Sequence, residues 1–419
     1  MPQSAHAWDG IDIASAERRI RGEVIRTPLI RAPPGLETSS TPVYLKLENF
    51  QRGGAFKIRG AMNKIASLSD AERARGVITA SSGNHAQGVG WAARRFGVPA
   101  TIVMAERASP LKVRATEALG ARIIRHGRDY DDAYAHALQV GREEGLTFVH
   151  PYDDPWIIAG QATVGREILE DLPSVRRVIA GVGGGGLLSG IASALRQAGS
   201  TAEVVGVQPS GASTLKPSLA DGRLVVGPPP DTFADGIATR HLGRLPFSIL
   251  SEANARAVVV DDTTIARAVF LLLERGRIVA EGAGASPLAA TLVEPNLLED
   301  GPVVLVVSGG NLDPYLLGRI LEVALISEGR LLRLRVRLPE TGAGVTDFLS
   351  IASENRARVR DIVPGETDRS RGGAGSSVEV DLEVRDVGHG LEVVQRYRER
   401  GWDVVPIRRS EHSVTLRVS

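Results

Sequence analysis

The chain has 419 residues, with 50 basic and 49 acidic side chains and no cysteine. This length allows two or three domains of roughly 100–200 residues each, and the near-zero net charge gives no reason to expect nucleic acid or a membrane as the principal partner. The lack of cysteine excludes thiol nucleophiles, disulfides and cysteine-bound metal or iron–sulfur centres, and with no long apolar run or signal-peptide pattern we expect a cytoplasmic protein.

Between about residues 75 and 325, short apolar runs alternate with helical periodicity. Strands are predicted at Gly76–Ala80, Ala100–Met104, Ala121–Arg125, Thr147–His150, Arg177–Val182, Glu203–Val207 and Val303–Val307. Helices are predicted at Ala86–Phe96, Leu111–Leu119, Asp131–Glu144, Ile158–Leu172 and Leu187–Gln197. Strands separated by single helices are typical of βαβ units, so we expect an α/β fold with parallel sheets. The segment 216–244, rich in Pro, Gly and Asp, is predicted to be a loop that crosses a cleft.

Beyond about Gly329 the pattern changes. Leu331–Leu338 alternates apolar and basic residues, as expected of a half-buried antiparallel strand. The predicted elements that follow are a helix, two strands, a second helix and a last strand, at Val345–Glu354, Val359–Val363, Ser377–Arg385, Leu391–Arg400 and Asp403–Ile407. This βαββαβ order indicates a ferredoxin-like small domain, in which residues 369–377 would form a long hairpin loop.

Lysine is scarce in this chain, which draws attention to Lys57. The basic residues are almost all arginine, and the lysines are Lys46, Lys57, Lys64, Lys112 and Lys216. Lys57 lies among small and apolar residues in the segment Gly53–Gly60. Burial would lower its pKa and make the amine a nucleophile that can form a Schiff base. An exposed loop lysine is the alternative, which the general preference for arginine weakens.

Two further segments follow predicted strands. Ser81–Gly88 places hydroxyl groups and glycine before an Ala-rich helix, so its backbone N–H groups could bind a carboxylate or phosphate. An ordinary helix cap is an equally good interpretation of that segment. Ser308–Asn311 follows the apolar strand Val303–Val307, at the end where α/β sheets bind ligands, although alone it could be a simple turn.

Residues 181–187 contain four consecutive glycines, Gly183–Gly186, between a predicted strand and a helix. They match the pattern G-x-G-x-x-G, so a dinucleotide site must be considered. However, Glu203 would begin the next strand, whereas the acid that binds a ribose belongs at the strand's end, near Gln208. Successive glycine N–H groups suit a loop that wraps a single phosphate, which is the interpretation we favour.

Four features of the chain together match the requirements of pyridoxal phosphate. They are a lysine for its aldehyde, a glycine-rich loop for its phosphate, a serine at a strand end and a second anion site. The sequence resembles the fold-type II pyridoxal-phosphate enzymes, and among them the threonine/serine ammonia-lyases (threonine dehydratases), over essentially the whole chain. The resemblance rests on residues 56–61, 81–88, 183–187 and 308–311. It implies two open parallel sheets, as in tryptophan synthase β-like enzymes, and a C-terminal ACT domain, which is an amino-acid-sensing module.

The resemblance also implies a role for each matching residue. Lys57 would bind the cofactor and later take a proton from the substrate Cα, and Ser308 would meet the pyridine nitrogen. Phe56 would pack beside the ring and Asn84 would hydrogen-bond its 3′-oxygen. The phosphate would be held by Gly183, Gly184, Gly185, Gly186 and Leu187. The substrate carboxylate would be held by Ser81, Ser82, Gly83, Asn84 and His85.

The implied reaction is β-elimination of the hydroxyl group of L-threonine, which gives 2-oxobutanoate and ammonia, with L-serine as a second substrate. A hydroxyl at Ser308 would leave the ring nitrogen largely neutral and so disfavour transamination. Ser82 would either act as an acid–base group, as the matching serine does in serine racemases, or only bind carboxylate. A serine racemase or another hydroxy-amino-acid dehydratase is the alternative on this scaffold. A non-catalytic amino-acid sensor is a further alternative, which the intact Lys57 argues against.

The remaining expectations concern organisation and partners. We predict a large cofactor-binding domain (1–70 and 155–326), a small catalytic domain (71–154) and an ACT-like regulatory domain (327–419). ACT domains often pair, so a homodimer or homotetramer with an amino-acid effector is expected. Gln208–Thr214 lacks the acids that hold a divalent metal in the racemases, so no metal site is expected. His85 is interpreted mainly as a structural hydrogen-bonding group, and Glu281 as either lining the cofactor cleft or capping a helix.

Overall fold

The computed structural model describes residues 6–36, 41–337, 343–364 and 377–407. The chain divides into two compact units, the first extending to Asp313 and the second beginning at Pro314. The helices of the first unit are α1 (Ile13–Ile20), α2 (Lys57–Ala66), α3 (Asp70–Arg75), α4 (Asn84–Phe96), α5 (Pro110–Glu117), α6 (Tyr130–Glu144), α7 (Pro155–Asp171), α8 (Gly186–Gln197), α9 (Leu215–Asp221), α10 (Arg244–Glu252), α11 (Asp262–Gly276) and α12 (Gly282–Val293). Its strands are β1 (Leu29–Arg31), β2 (Val43–Leu47), β3 (Val77–Ala80), β4 (Ala100–Met104), β5 (Arg122–Arg125), β6 (Thr147–Phe148), β7 (Arg177–Gly181), β8 (Glu203–Pro209), β9 (Arg256–Val260) and β10 (Val303–Val307).

The larger sheet of the first unit has the strand order β1-β2-β10-β7-β8-β9. Strand β1 is antiparallel to β2, and the other pairings are parallel. Every residue of β7 and β10 is buried, as expected for the central strands of a parallel sheet that is covered on both faces. Because β7 and β10 are parallel neighbours, the glycine loop after Gly181 and the loop after Val307 emerge at the same edge.

The smaller sheet has the order β5-β4-β3-β6, and all of its pairings are parallel. Strand β3 is buried throughout, and helix α6 packs against β3 and β4. Helix α2 packs against both α4, which follows β3, and α7, which packs on α8. Helix α2 therefore connects the helices of the smaller sheet with those of the larger sheet.

The second unit contains α13 (Pro314–Ser327), β11 (Leu331–Arg337), α14 (Ala343–Glu354), β12 (Arg358–Pro364), β13 (Ser377–Glu383), α15 (Val387–Glu399) and β14 (Val404–Pro406). Its antiparallel sheet has the order β12-β13-β11-β14. This order is the ferredoxin-like one, so the prediction from the βαββαβ pattern is confirmed. Its core includes Phe348 and Tyr397, whose rings stack 4.3 Å apart against the buried face of the sheet.

The predicted α/β fold is confirmed, and strands β4 and β10 have the predicted bounds. The prediction of a continuous loop over residues 216–244 is wrong at its start, because Leu215–Asp221 forms helix α9. The side-chain carbonyl of Gln208 accepts hydrogen bonds from the backbone N–H groups of Thr214 and Leu215 and so supports that helix start. The predicted hairpin loop 369–377 lies, apart from Ser377, outside the described residues. The predicted domain boundaries stay predictions.

Candidate active site

A cavity of about 480 Å³ lies at the carboxyl ends of strands from both sheets of the first unit. Loops that follow β3, β4, β7 and β10 line it, which is the usual place for a ligand in parallel α/β sheets. The cavity lining includes every site residue predicted from the sequence: Phe56, Lys57, Ser81, Ser82, Gly83, Asn84, His85, Gly183, Gly184, Gly185, Gly186, Leu187 and Ser308. The structure thus brings these residues together, whereas the role of each stays a prediction.

Lys57 is the first residue of α2, and it lines the cavity. Its Nζ donates a hydrogen bond to the carbonyl oxygen of Pro151 (2.9 Å) and lies 5.2 Å from the centre of the Phe56 ring. Burial lowers the pKa of Lys57 to about 8, although the negative charge of Glu281 acts in the opposite direction. An amine with this pKa is partly neutral near neutral pH and is therefore available as a nucleophile and as a base.

The segment Ser81–His85 connects β3 to α4. The N–H of Gly83 donates to Ser81 Oγ (3.2 Å), and α4 begins at Asn84. His85 Nε2 lies 3.0 Å from the carbonyl oxygen of Val149 and must carry the hydrogen, because a carbonyl only accepts. Burial, together with the positive charge of Lys57, lowers the pKa of His85 to about 3, so the imidazole is neutral. This geometry suits a structural hydrogen-bonding group rather than a charged ligand for a carboxylate.

The glycine loop forms a cradle that side chains would fill. Gly185 has φ +96°, which favours glycine, and α8 begins at Gly186. A Cβ atom at Gly184 would lie 2.3 Å from the ring of Tyr152, so the close approach of that ring requires glycine there. The loop therefore offers backbone N–H groups at a helix start, which is the arrangement that binds phosphate.

Ser308 joins the Lys57 segment to the larger sheet. Its residue is only 3% exposed, and it lines the cavity directly after β10. Its carbonyl oxygen accepts a hydrogen bond from the N–H of Phe56 (3.1 Å), and Ala55 pairs with Gly309 as an isolated β-bridge. The start of α2 is thereby fixed against the end of β10.

Glu281 lies at the N-cap position of α12 and lines the cavity. Within the described residues its side chain makes no capping hydrogen bond; instead, Oε1 accepts one from Asn84 Nδ2 (2.6 Å). Burial, reinforced by the nearby charge of Asp235, raises the pKa of Glu281 to about 8. Of the two interpretations open from the sequence, the structure supports a place in the cleft.

Sequence reasoning missed Pro151 and Tyr152, which lie after β6. Pro151 accepts the hydrogen bond from Lys57, and the Tyr152 ring packs on the glycine loop. Lys57 and Pro151 are 94 positions apart, so no local pattern could have indicated that contact. Three of the four lysines without an assigned role have structural partners instead: Lys112 pairs with Asp235 at the cavity, Lys64 with Asp154, and Lys46 with Glu167.

These residues fit pyridoxal phosphate, since they supply an amine for its aldehyde, a glycine cradle for its phosphate and a buried hydroxyl for its ring. The sequence profile of the family described as pyridoxal-phosphate dependent enzymes matches residues 20–309. The chain therefore belongs to the pyridoxal-phosphate-dependent enzyme family, and pyridoxal phosphate is its cofactor.

Individual proteins that are similar to this chain include two threonine-converting enzymes and a serine racemase. An L-threonine ammonia-lyase of Geobacter sulfurreducens is 40% identical over 390 residues, which are 93% of this chain and 97% of that protein. Among solved structures, the processed form of threonine deaminase isoform 2 from Solanum lycopersicum has a TM-score of 0.72 at 34% identity and covers 77% of this chain and 90% of its own. Maize serine racemase has a TM-score of 0.71 at 33% identity and covers 78% of this chain and 99% of its own.

Two further observations concern partners. Among the residues that the structure describes, no helix is both long and apolar enough to cross a membrane. In the same residues no group of three or more His, Asp or Glu side chains is arranged to hold a metal ion. The expectation that the enzyme needs no metal stays a prediction.

Proposed function

We propose that this chain is an L-threonine ammonia-lyase, which converts L-threonine to 2-oxobutanoate and ammonia, and that it also converts L-serine to pyruvate and ammonia. The observation that carries the proposal is the buried amine of Lys57, with its pKa lowered to about 8, in a cavity shared with a glycine cradle and Ser308. The similarity to an L-threonine ammonia-lyase over 93% of the chain supports this choice of substrate.

Pyridoxal phosphate supplies an aldehyde that condenses with amines and a ring that withdraws electrons from the substrate Cα. Phe56, Ser308 and the glycine cradle, Gly183–Leu187, would hold the ring and the phosphate. Lys57 Nζ would hold the cofactor through its aldehyde and, when the substrate amine occupies that place, would take the proton from Cα. The hydroxyl group would leave Cβ as water, taking up a proton equivalent to the one lost from Cα, and one water would hydrolyse the remaining enamine to the 2-oxo acid and ammonia.

The segment Ser81–His85 would bind the substrate carboxylate through its hydroxyl groups and backbone N–H groups. Neutral His85 would contribute through its backbone, because its Nε2–H is already donated to Val149. Ser82 also lines the cavity. It would bind carboxylate in a lyase, and it would exchange a proton with Cα in a racemase.

Serine racemase is the second candidate, and the structural similarity to the maize enzyme at 33% identity favours it over other activities. Both candidates need a base at Lys57, so that residue cannot separate them. The second unit, with its ferredoxin-like sheet, is proposed to bind an amino-acid effector and to pair in a homodimer or homotetramer. We also propose that the enzyme acts in the cytoplasm, where it would serve either isoleucine biosynthesis or the degradation of threonine.

The test is a steady-state assay of the purified enzyme with L-threonine, L-serine and their D-forms. It measures ammonia, the 2-oxo acid and the enantiomer of the remaining substrate, with and without isoleucine or valine. Ammonia and 2-oxobutanoate from L-threonine are the expected products. Accumulation of D-serine without ammonia would support the racemase, and a protein that binds the cofactor but turns over none of these amino acids would refute the proposal.

A further inference from the structure

The side-chain amide of Asn84 is held at both of its ends. Its Nδ2 donates to Glu281 Oε1 (2.6 Å), and its Oδ1 accepts from Asn311 Nδ2 (2.8 Å). The same Asn311 Nδ2 also donates to the carbonyl oxygen of Gly53 (2.7 Å). These contacts join four separate parts of the chain: the segment before α2, the start of α4, the start of α12 and the loop after β10.

The direction of these hydrogen bonds follows from chemistry. The carbonyl of Gly53 can only accept, so the amide group of Asn311 must present its nitrogen there, and its second hydrogen goes to Asn84. Asn84 must then present its oxygen to Asn311 and its nitrogen to Glu281. An amide nitrogen has two hydrogens, and Glu281 takes one of them. The other remains on a side chain that lines the cavity.

The place of Glu281 supports a role in this arrangement. The residue is only 4% exposed, and its carboxyl group is enclosed by two close glycines. A Cβ atom at Gly309 would lie 2.4 Å from Glu281 Oε1, and one at Gly236 would lie 3.3 Å from it. The charged groups around it are Lys57 from α2, Lys112 from α5 and Asp235 from the turn before α10. Burying a carboxyl group in such a site costs folding free energy. Groups that are buried at such a cost next to other charges often have a functional role.

We propose that Glu281 is a positioning residue for the cofactor: acting through Asn84, and together with Asn311, it fixes the Asn84 amide with one N–H free for an acceptor oxygen of pyridoxal phosphate. The inference rests on the cofactor site of the proposed function but not on the identity of the amino-acid substrate. It assigns to Glu281 and Asn311 a function that a helix cap or a simple turn does not have.

The test compares holoenzyme variants by the rate of cofactor loss, followed through the visible absorbance of the bound cofactor after transfer to cofactor-free buffer. Glu281→Leu removes the acceptor and should speed cofactor loss about 10-fold and shift the absorbance band. Glu281→Gln keeps a carbonyl acceptor and should stay within about 3-fold of the wild type. Asn311→Leu should match Glu281→Leu, and the double variant should lose little more than either, because both break the same arrangement.

Asn49→Leu is the matched control, since Asn49 donates to Val279 close to Glu281 but is absent from the cavity lining. It should leave the rate of cofactor loss unchanged.

A Glu281→Leu enzyme that keeps the wild-type rate and band would overturn the inference. A Glu281→Gln enzyme that loses the cofactor as fast as Glu281→Leu would overturn it as well. If Glu281→Leu does not fold, Asn311→Leu decides in the same way. A merely structural role would lower the thermal stability of the cofactor-free protein without shifting the band. Lack of turnover by the wild-type enzyme would refute the proposed function and leave these measurements intact.

Discussion

Lys57 and Arg59 lie two positions apart on α2, but their side chains lie in two different buried surroundings. The charge of Arg59 is paired with carboxylates, whereas Lys57 contacts a neutral carbonyl group. Arg59 is fully buried between two carboxylates, with Glu48 at 2.8 Å and Glu167 at 2.6 Å, and Lys46 makes a second contact to Glu167 at 2.6 Å. Two cations thus meet two anions. Burial alone would raise the pKa of Glu48, but the charge of Arg59, together with the hydrogen bonds from Arg59 and Thr27 and the charge of Lys46, outweighs it and holds the pKa below its usual value.

Lys57 has no such carboxylate partner among the residues that the structure describes, and its Nζ donates to a neutral backbone carbonyl. Burial therefore dominates, and it moves the pKa of Lys57 down to about 8 and that of Glu281 up to about 8. Close pairing keeps a buried group charged, whereas burial without close pairing brings it near the point where it can gain or lose a proton. The difference separates a cluster that stabilises the fold from a group that is suited to catalysis.

The largest effect is expected from Lys57→Ala, which should reduce ammonia release from L-threonine by about 10³-fold or more, because both the cofactor attachment and the base are lost. The free energy of unfolding should not fall, since a desolvated cation is removed. The matched control is Lys64→Ala on the same helix, where Lys64 is paired with Asp154 at 2.6 Å, and it should keep most of the activity. Substantial turnover by Lys57→Ala would contradict the proposed mechanism.

Arg59→Met should, in contrast, lower the stability of the protein. Removing one partner leaves Glu48 and Glu167 as buried charges with too few cations, which typically costs about 3–5 kcal/mol of the free energy of unfolding. Urea unfolding measures it, with Arg95→Met as the control. Arg95 pairs with Glu23 at 2.7 Å, but its side chain is 52% exposed, so water screens the pair and Arg95→Met should lower the free energy of unfolding far less than Arg59→Met. Equal losses in the two variants would show that the buried Arg59 cluster contributes no more to stability than the exposed Arg95–Glu23 pair.

These two clusters also show what the sequence could predict. The strands Ala100–Met104 and Val303–Val307 are continuous apolar runs, and Lys57, the glycine loop and Ser308 stand in short contiguous motifs, so all could be found locally. The contacts that decide charge are not local: Arg59 and Glu167 are 108 positions apart, and Asn84 and Glu281 are 197 apart. Helix α9 was missed because the support for its start comes from the side chain of Gln208, on the preceding strand.

The pH dependence of cofactor binding tests the lowered pKa of Lys57. In protein freed of its cofactor, the rate of pyridoxal phosphate capture should rise with pH through about 8, the pKa of Lys57, because only the neutral amine reacts. At that pH the neutral fraction should be about 100-fold higher than for an ordinary lysine. Glu281→Gln removes a negative charge that raises this pKa, so the midpoint should move lower. A rate that rises only near pH 10.5, as for a solvated lysine, would show that Lys57 is not desolvated.

The smallest effect is expected where a pair is close but partly solvated. Lys112 and Asp235 both line the cavity, with side chains 24% and 44% exposed. Burial would lower the pKa of Lys112, but the charge and hydrogen bond of Asp235, together with the charges of Glu281 and Asp313, raise it. Lys112→Met should therefore change the free energy of unfolding by no more than about 1 kcal/mol, because water screens both charges. Added salt should reduce this difference further, while leaving the effect of Arg59→Met nearly unchanged. If Lys112→Met were instead as costly as Arg59→Met, close pairing alone, without burial, would explain the stability of the Arg59 cluster.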